Sequence, residues 1–181
     1  MIVSAGRSGY SRLEITSGGE KIAVVRLDGI IYSSEKLVRE LKHYEKAKDI
    51  KAVVFRVNSP GGGIAASQEI YEAVKRVRNV KPVIASMSSV AASGGYYVAL
   101  GADSIVANAG TTTGSIGVIA QFVHAEELMD KVGIEYEVIK SGPFKDTGSF
   151  HRDLSEREEE YLQEWIDDAY GQFVAVVAEE R

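Results

Sequence analysis

The 181-residue chain contains no cysteine. Disulfides, thiolate metal sites and a thiol nucleophile are therefore excluded. Histidine is nearly as scarce. His43, His124 and His151 lie far apart in the chain, which argues against a compact histidine-rich metal motif, and neither a metal nor a cofactor is expected. No apolar run approaches the ~20 residues of a membrane-spanning helix. The first 20 residues have neither a charged start followed by an apolar stretch nor a small-residue cleavage pattern. An excess of positive charge is also missing: the formal net charge is −5, so a general nucleic-acid surface is not expected.

What remains is an ordinary globular composition, 45% hydrophobic and 26% charged. A domain of this length buries roughly 70% of its unfolded surface and needs no covalent staple. The chain reads as an N-terminal extension over 1–20 followed by one domain over 21–181. Glycine, at 18 residues, exceeds the usual share of about 7%. Much of that excess sits in a few clusters.

Residues 21–31 are rich in β-branched side chains and stop near a glycine, a strand and turn. Leu37, Leu41 and Tyr44 have helical spacing within 34–48. Residues 51–57 form a short apolar strand, and 64–78 carry Ile64, Ile70, Tyr71, Val74 and Val77 on one helical face. Residues 82–88 read as a buried strand, followed by a helix to Leu100. Short strands are expected at 104–107, 115–120 and 135–139, a short helix at 125–132, and a long acidic helix over 155–180 with Ser155 and Glu158 in capping-box spacing. Strands alternating with helices predict parallel pairing through right-handed crossovers, hence an α/β fold.

Two glycine-rich turns join strands to helices. Asn58-Ser59-Pro60-Gly61-Gly62-Gly63 has neither the GxxxxGK[ST] phosphate-loop pattern nor the GxGxxG spacing. It can be a plain turn. It can also expose bare backbone N–H groups to a substrate carbonyl, as half of an oxyanion hole. Ala91-Ala92-Ser93-Gly94-Gly95 clears bulk from around a serine at a helix start. Such a serine can be only an N-cap. The helix N-terminus equally offers N–H groups and a positive dipole end to a developing oxyanion. The GxSxG nucleophile elbow is absent.

A nucleophilic serine needs a base. A triad would have to recruit one of the three histidines, all in charged stretches. The other candidate is a lysine, and Lys145 follows Gly142-Pro143-Phe144 in a loop leaving an expected strand. A free lysine, with pKa ~10.4, is neutral in only about one molecule in 2,500 at pH 7. Bringing it to ~7 requires roughly 4–5 kcal/mol of ammonium destabilisation, which burial can supply. Spacing alone leaves the choice open.

Taken together, Asn58-Ser59-Pro60-Gly61-Gly62-Gly63, Ala91-Ala92-Ser93-Gly94-Gly95-Tyr96-Tyr97, Thr113-Gly114-Ser115-Ile116-Gly117-Val118 and Ser141-Gly142-Pro143-Phe144-Lys145-Asp146 resemble the signal peptide peptidase A family, in order, from about residue 21 to 181. The resemblance implies a Clp protease/crotonase-like spiral of ββα units with a long C-terminal helix. It implies Ser93 as nucleophile, Lys145 as general base and Ser115 as the residue holding the lysine amine. The Gly62 and Gly94 amides would form the oxyanion hole, and Gly61 and Gly63 would present backbone to an extended peptide. Lys140 does not occupy the motif's catalytic position. The resemblance further implies cleavage of remnant signal peptides, a homo-oligomeric dome-shaped ring, and a serine–lysine pair shared between neighbouring subunits. Leu162, Trp165, Ile166, Phe173 and Val177 are candidate contact residues for such an assembly, or ordinary core.

Two departures stand out. The family's N-terminal anchor and its C-terminal segment are missing, so this chain is expected to be a soluble fragment of a membrane-associated protein whose catalytic domain is extracytoplasmic. Three rivals remain: a crotonase-type acyl-CoA enzyme, a non-catalytic homologue of the same fold, and a Clp-like processive subunit.

Overall fold

The computed structural model describes residues 20–181 in full and, before them, the backbone of two strands, β1 (Ile2–Ser4) and β2 (Leu13–Ser17). The rest of the 1–20 segment lies outside the described residues. The chain divides into two compact units, one of Met1–Gly117 with Gln172–Arg181 and one of Val118–Gly171.

The first unit is built on a seven-stranded sheet. The strands that follow are β3 (Glu20–Asp28), β4 (Ile50–Ser59), β5 (Val83–Ala92), β6 (Ser104–Val106) and β7 (Thr112–Gly114). The order is β1-β2-β3-β4-β5-β6, with β7 also on β5. From β3 onward every pairing is parallel. The crossovers that parallel pairing demands are α1 (Glu35–Lys46) between β3 and β4 and α2 (Ile64–Arg78) between β4 and β5. The short α3 (Gly94–Leu100) follows β5.

Alternation sets which side is buried. Val25, Phe55 and Ala85 are in register across β3, β4 and β5 and fully buried, as are the neighbouring Val57 and Met87. Leu37, Leu41 and Tyr44 of α1 and Ile70, Val74 and Val77 of α2 join them in one core. Each of the Val, Leu, Ile, Phe and Met side chains among them contributes about 1.5–3 kcal/mol. The C-terminus of α1 is fastened by Lys81, whose ammonium donates to the carbonyls of Tyr44, Ala47 and Ile50 at 2.5, 2.9 and 3.1 Å. Burial lowers the pKa of this amine.

The long strand β5 changes neighbours along its length. Ile84–Ser86 pair with β6, and Val90–Ala92 pair with β7. The β4–β5 register shifts between Val57 and Ser59, just before the glycine-rich turn. Both strands therefore end next to each other, where the two glycine-rich turns leave the sheet.

Two expected strands do not form. Residues 115–120 form no strand; the ladder here is the earlier β7, which ends where Gly114 and Ser115 take left-handed torsions (φ 76° and 52°). Residues 135–139 form no strand among the described residues. Ile139 is 95% exposed, and an alternating pattern without a neighbouring strand has nothing to pair with.

In the second unit, α4 (Glu126–Val132) ends at Gly133 in the left-handed conformation. The helix α5 (Glu156–Glu180) starts behind Ser155, whose N–H and hydroxyl both donate to the Glu158 carboxylate at 2.9 and 2.8 Å. From Gln172 on, α5 belongs to the first unit. There Phe173 packs with Tyr71, Tyr97 and Leu100, with Val177 beside them, so these two residues serve the core. Glu180 binds Arg78, Lys75 and the Tyr71 hydroxyl.

Candidate active site

Ser93 sits between β5 and α3 with φ 52° and ψ −124°. For a residue with a Cβ this conformation costs on the order of 1–3 kcal/mol and persists only when its surroundings over-determine it. They do so here. The Ser93 N–H donates to Gly114 O at 2.8 Å, its carbonyl accepts from Tyr97 N–H at 2.9 Å, and Ala91 and Ala92 before it are locked into β7. Thr113 Oγ adds a bond to Ala91 O at 2.8 Å. The tight reversal turns the Ser93 side chain out of the strand's alternation at the head of a helix.

The glycine-rich turn comes up against this serine. A Cβ on Gly61 would lie 2.7 Å from Gly94 N and 2.9 Å from Ser93 Cβ, so only glycine allows the approach. One on Gly94 would meet Ser67 Oγ at 2.4 Å and Gly62 N at 3.3 Å. The two glycine amides are thus brought together beside Ser93.

Their N–H groups are available. Ile31 N–H donates to Gly61 O and Gly63 N–H to Ile31 O, at 2.9 and 2.8 Å, so the turn is hung on Ile31 through its odd members. Gly61 N–H turns inward to Ser59 Oγ at 3.1 Å. Gly62 N–H takes no acceptor among the described residues, and Gly62 is exposed. Gly94 opens α3, where N–H groups have no intrahelical acceptor. The Gly62 and Gly94 amides, neither with an acceptor among the described residues, lie beside Ser93, and such donors can bind a carbonyl oxygen and stabilise it as it gains negative charge. Gly63, by contrast, is spent on Ile31 and leaves its N–H no part in this.

Ser115 follows directly on Gly114, whose carbonyl holds Ser93 N–H. It is exposed and left-handed itself. Lys145 lies in the second unit, in a run of turns, exposed, its ammonium without a partner among the described residues. Lys140 is engaged, with Asp146 at 2.7 Å and Pro143 O at 3.3 Å. The histidines have occupations of their own. His43 sits in the last turn of α1 against Tyr44, His124 holds Asp153 at 2.8 Å, and His151 stacks on Tyr136 at 4.2 Å. Sequence reasoning passed over Ser59 and Ile31, which shape the glycine turn. The serine two residues ahead of Gly61 was the available signal.

A parallel α/β sheet with a strained serine heading a helix beside a glycine-rich turn defines the class: the fold is that of the Clp proteases, and the Clp protease profile matches residues 24–112. The profile of Peptidase family S49 matches residues 75–181, more than half of the chain. The chain belongs to peptidase family S49, a serine-type peptidase family. It is 46% identical over 165 residues to protease slr0021 of Synechocystis, covering 90% of this chain and 59% of that protein. It is 36% identical over 183 residues to a signal peptide peptidase SppA of Enterococcus faecium, covering 93% and 53%. It is 36% identical over 175 residues to the chloroplastic serine protease SPPA of Arabidopsis thaliana, covering 89% and 26%. The chain thus spans little more than half the length of the first two.

Proposed function

We propose that this chain carries the catalytic centre of a serine endopeptidase working through a Ser–Lys pair. One observation carries the reading: Ser93 is held left-handed at a helix start, with the unpaired Gly62 and Gly94 amides beside it. Ser93 Oγ attacks the scissile carbonyl carbon while its proton passes to the neutral Lys145 amine. The carbonyl oxygen becomes an oxyanion between the two glycine amides, an interaction worth a factor of about 10²–10³ per donor. Collapse expels the amine, which takes the proton back from Lys145 and leaves an acyl-Ser93. Water, deprotonated by the same lysine, then hydrolyses the ester. Ser115 holds the amine, and Gly61 and Gly63 border the extended substrate.

The substrate class proposed is apolar peptide, in the first place the remnants of signal peptides, after the activity named for the Enterococcus faecium relative. Such work belongs at a membrane, on its extracytoplasmic side. No helix among the described residues is long and apolar enough to cross one, so attachment would run through other residues. The active form is a homo-oligomeric ring in which Lys145 of one subunit serves Ser93 of its neighbour. An exposed lysine loop gains the desolvation a neutral amine requires by packing against a second subunit.

The test is peptide cleavage by Ser93→Ala and Lys145→Ala, separately and mixed. Each alone should be inactive, with the fold intact by circular dichroism. The mixture should regain part of the activity, since some sites then hold both groups. Near-normal cleavage by Ser93→Ala refutes the nucleophile, and an inactive mixture of exchanging subunits refutes the shared site.

A further inference from the structure

A base must be held to within roughly 0.5 Å of its productive position. Lys145 lies in a poor place for that. Between the end of α4 at Val132 and the start of α5 at Glu156 the described chain forms turns but no helix or strand. A connection of this length without regular structure is normally a soft one. The residues around Lys145 nevertheless carry a dense, partly buried set of ion pairs, and the catalytic reading uses none of them.

Asp146, directly after Lys145, accepts from Arg152 Nε at 3.0 Å and Arg152 Nη2 at 2.8 Å, a bidentate pair. The same guanidinium reaches Glu158 through Nη1 at 2.8 Å and Nη2 at 2.5 Å. Glu158 is 2% exposed, on the first turn of α5. Its carboxylate also accepts from Thr147 Oγ at 2.8 Å and from Ser155. The Asp146 carbonyl takes Ser149 Oγ at 2.6 Å and Ser149 N–H at 3.0 Å. One planar guanidinium thus joins the residue beside Lys145 to the rigid start of a helix, through two carboxylates at once. The remaining face of Asp146 is filled by Lys140, so one of the loop's two ammonium groups is tied down, while that of Lys145 has no partner among the described residues.

We propose that Asp146, Arg152 and Glu158 form a clamp that positions Lys145, making them positioning residues for the cleavage reaction. The proposal rests on Lys145 being the base. Neighbouring cations hold both carboxyls well below the usual carboxylate range, so the clamp stays ionised across the working pH. A lysine in place of Arg152 could reach one carboxylate but not bridge two.

The experiment is steady-state peptide cleavage by the full chain carrying Arg152→Ala, with and without millimolar guanidinium chloride. A misplacement on the order of 1 Å costs about 100-fold in rate. The expected result is a kcat about 100-fold lower with KM within about threefold of wild type. Free guanidinium should restore part of kcat by occupying the vacated site, well below denaturing concentrations, and should not rescue Lys145→Ala. Arg152→Lys should remain impaired. If Arg152→Ala does not fold, Glu158→Gln carries the same kcat and KM test with one acceptor oxygen kept. A purely structural role predicts a lower melting temperature with normal kcat in the folded fraction and no guanidinium rescue. That outcome, or kcat within threefold of wild type in Arg152→Ala and Glu158→Gln while Lys145→Ala is inactive, overturns the clamp alone. Full activity in Lys145→Ala overturns the base assignment and the clamp with it.

Discussion

Adding one methyl group at Gly61 tests the close approach on which the site depends. The new Cβ would lie 2.7 Å from Gly94 N, 2.9 Å from Ser93 Cβ and 3.0 Å from Ala92 O, all groups fixed in the backbone or next to it. Ordinary contact begins at 3.4 Å, so the two turns must part by about 0.7 Å. At φ 103° the alanine is also strained, at a cost of roughly 1–2 kcal/mol for the left-handed side of the map. Strain and repacking together should destabilise the protein by about 2–3 kcal/mol, a melting temperature lower by roughly 5–10 °C at this size. Catalysis should suffer more. Moving Gly62 N–H from Gly94 N–H by that distance breaks the paired donor geometry, and loss of one such donor costs about 10²–10³ in kcat. The measurements are kcat and KM on a fluorogenic apolar peptide at a temperature where the variant is fully folded, with melting followed by circular dichroism. Gly110→Ala is the control, because nothing lies within 4 Å of its Cβ position and its torsion is ordinary. Gly61→Ala with kcat within threefold of wild type would refute the argument that this contact builds the oxyanion site.

Three further outcomes are expected. Lys145→Arg should be inactive in peptide cleavage because a guanidinium cannot be deprotonated, whereas Lys140→Ala should keep at least about a third of the activity; the reverse pattern would assign the base to Lys140. Glu180, held at about 2 by Arg78 against an ordinary 4.5, contributes stability that is fully present above about pH 5 and lost as pH falls toward 2. Screening reduces this to on the order of 1–3 kcal/mol, and Glu180→Gln should flatten that part of the acid unfolding curve. Lys81→Met should lower stability by about 2 kcal/mol in urea unfolding, because two carbonyls at the end of α1 and that of Ile50 at the start of β4 lose their donor; an unchanged midpoint would contradict the bonding described.

The candidate site was legible in part. Ser93 and the glycines around it stand out because a strand-to-helix step with no side-chain bulk is a local pattern. The Ser93 torsion does not, since it is imposed by Gly114 O, 21 residues later, and by β7. Ile31 is invisible for the same reason: its bond to the glycine turn joins residues about 30 apart. Ser155 and Glu158 could be read as a cap, but Arg152 bridging Asp146 to Glu158 could not, because ion-pair geometry depends on how a loop without periodicity folds back.

By itself the amino-acid sequence determined the alternation of strands and helices from β3 through α3, the span of α5 and the parallel α/β class, since hydrophobic periods of 2 and 3.6 are short-range and each segment carries its own. Tertiary structure alone decided which apolar segments became strands. Thr112–Gly114 pairs because the end of β5 is there to receive it, while 115–120 and 135–139, with equally suitable residues, do not. It also decided that Phe173 and Val177 fill the first unit's core, and that Gly61 rests against Ser93 closely enough to exclude a single methyl group. These outcomes turn on backbone hydrogen bonds and contacts between residues far apart in the chain, which only the folded geometry brings together.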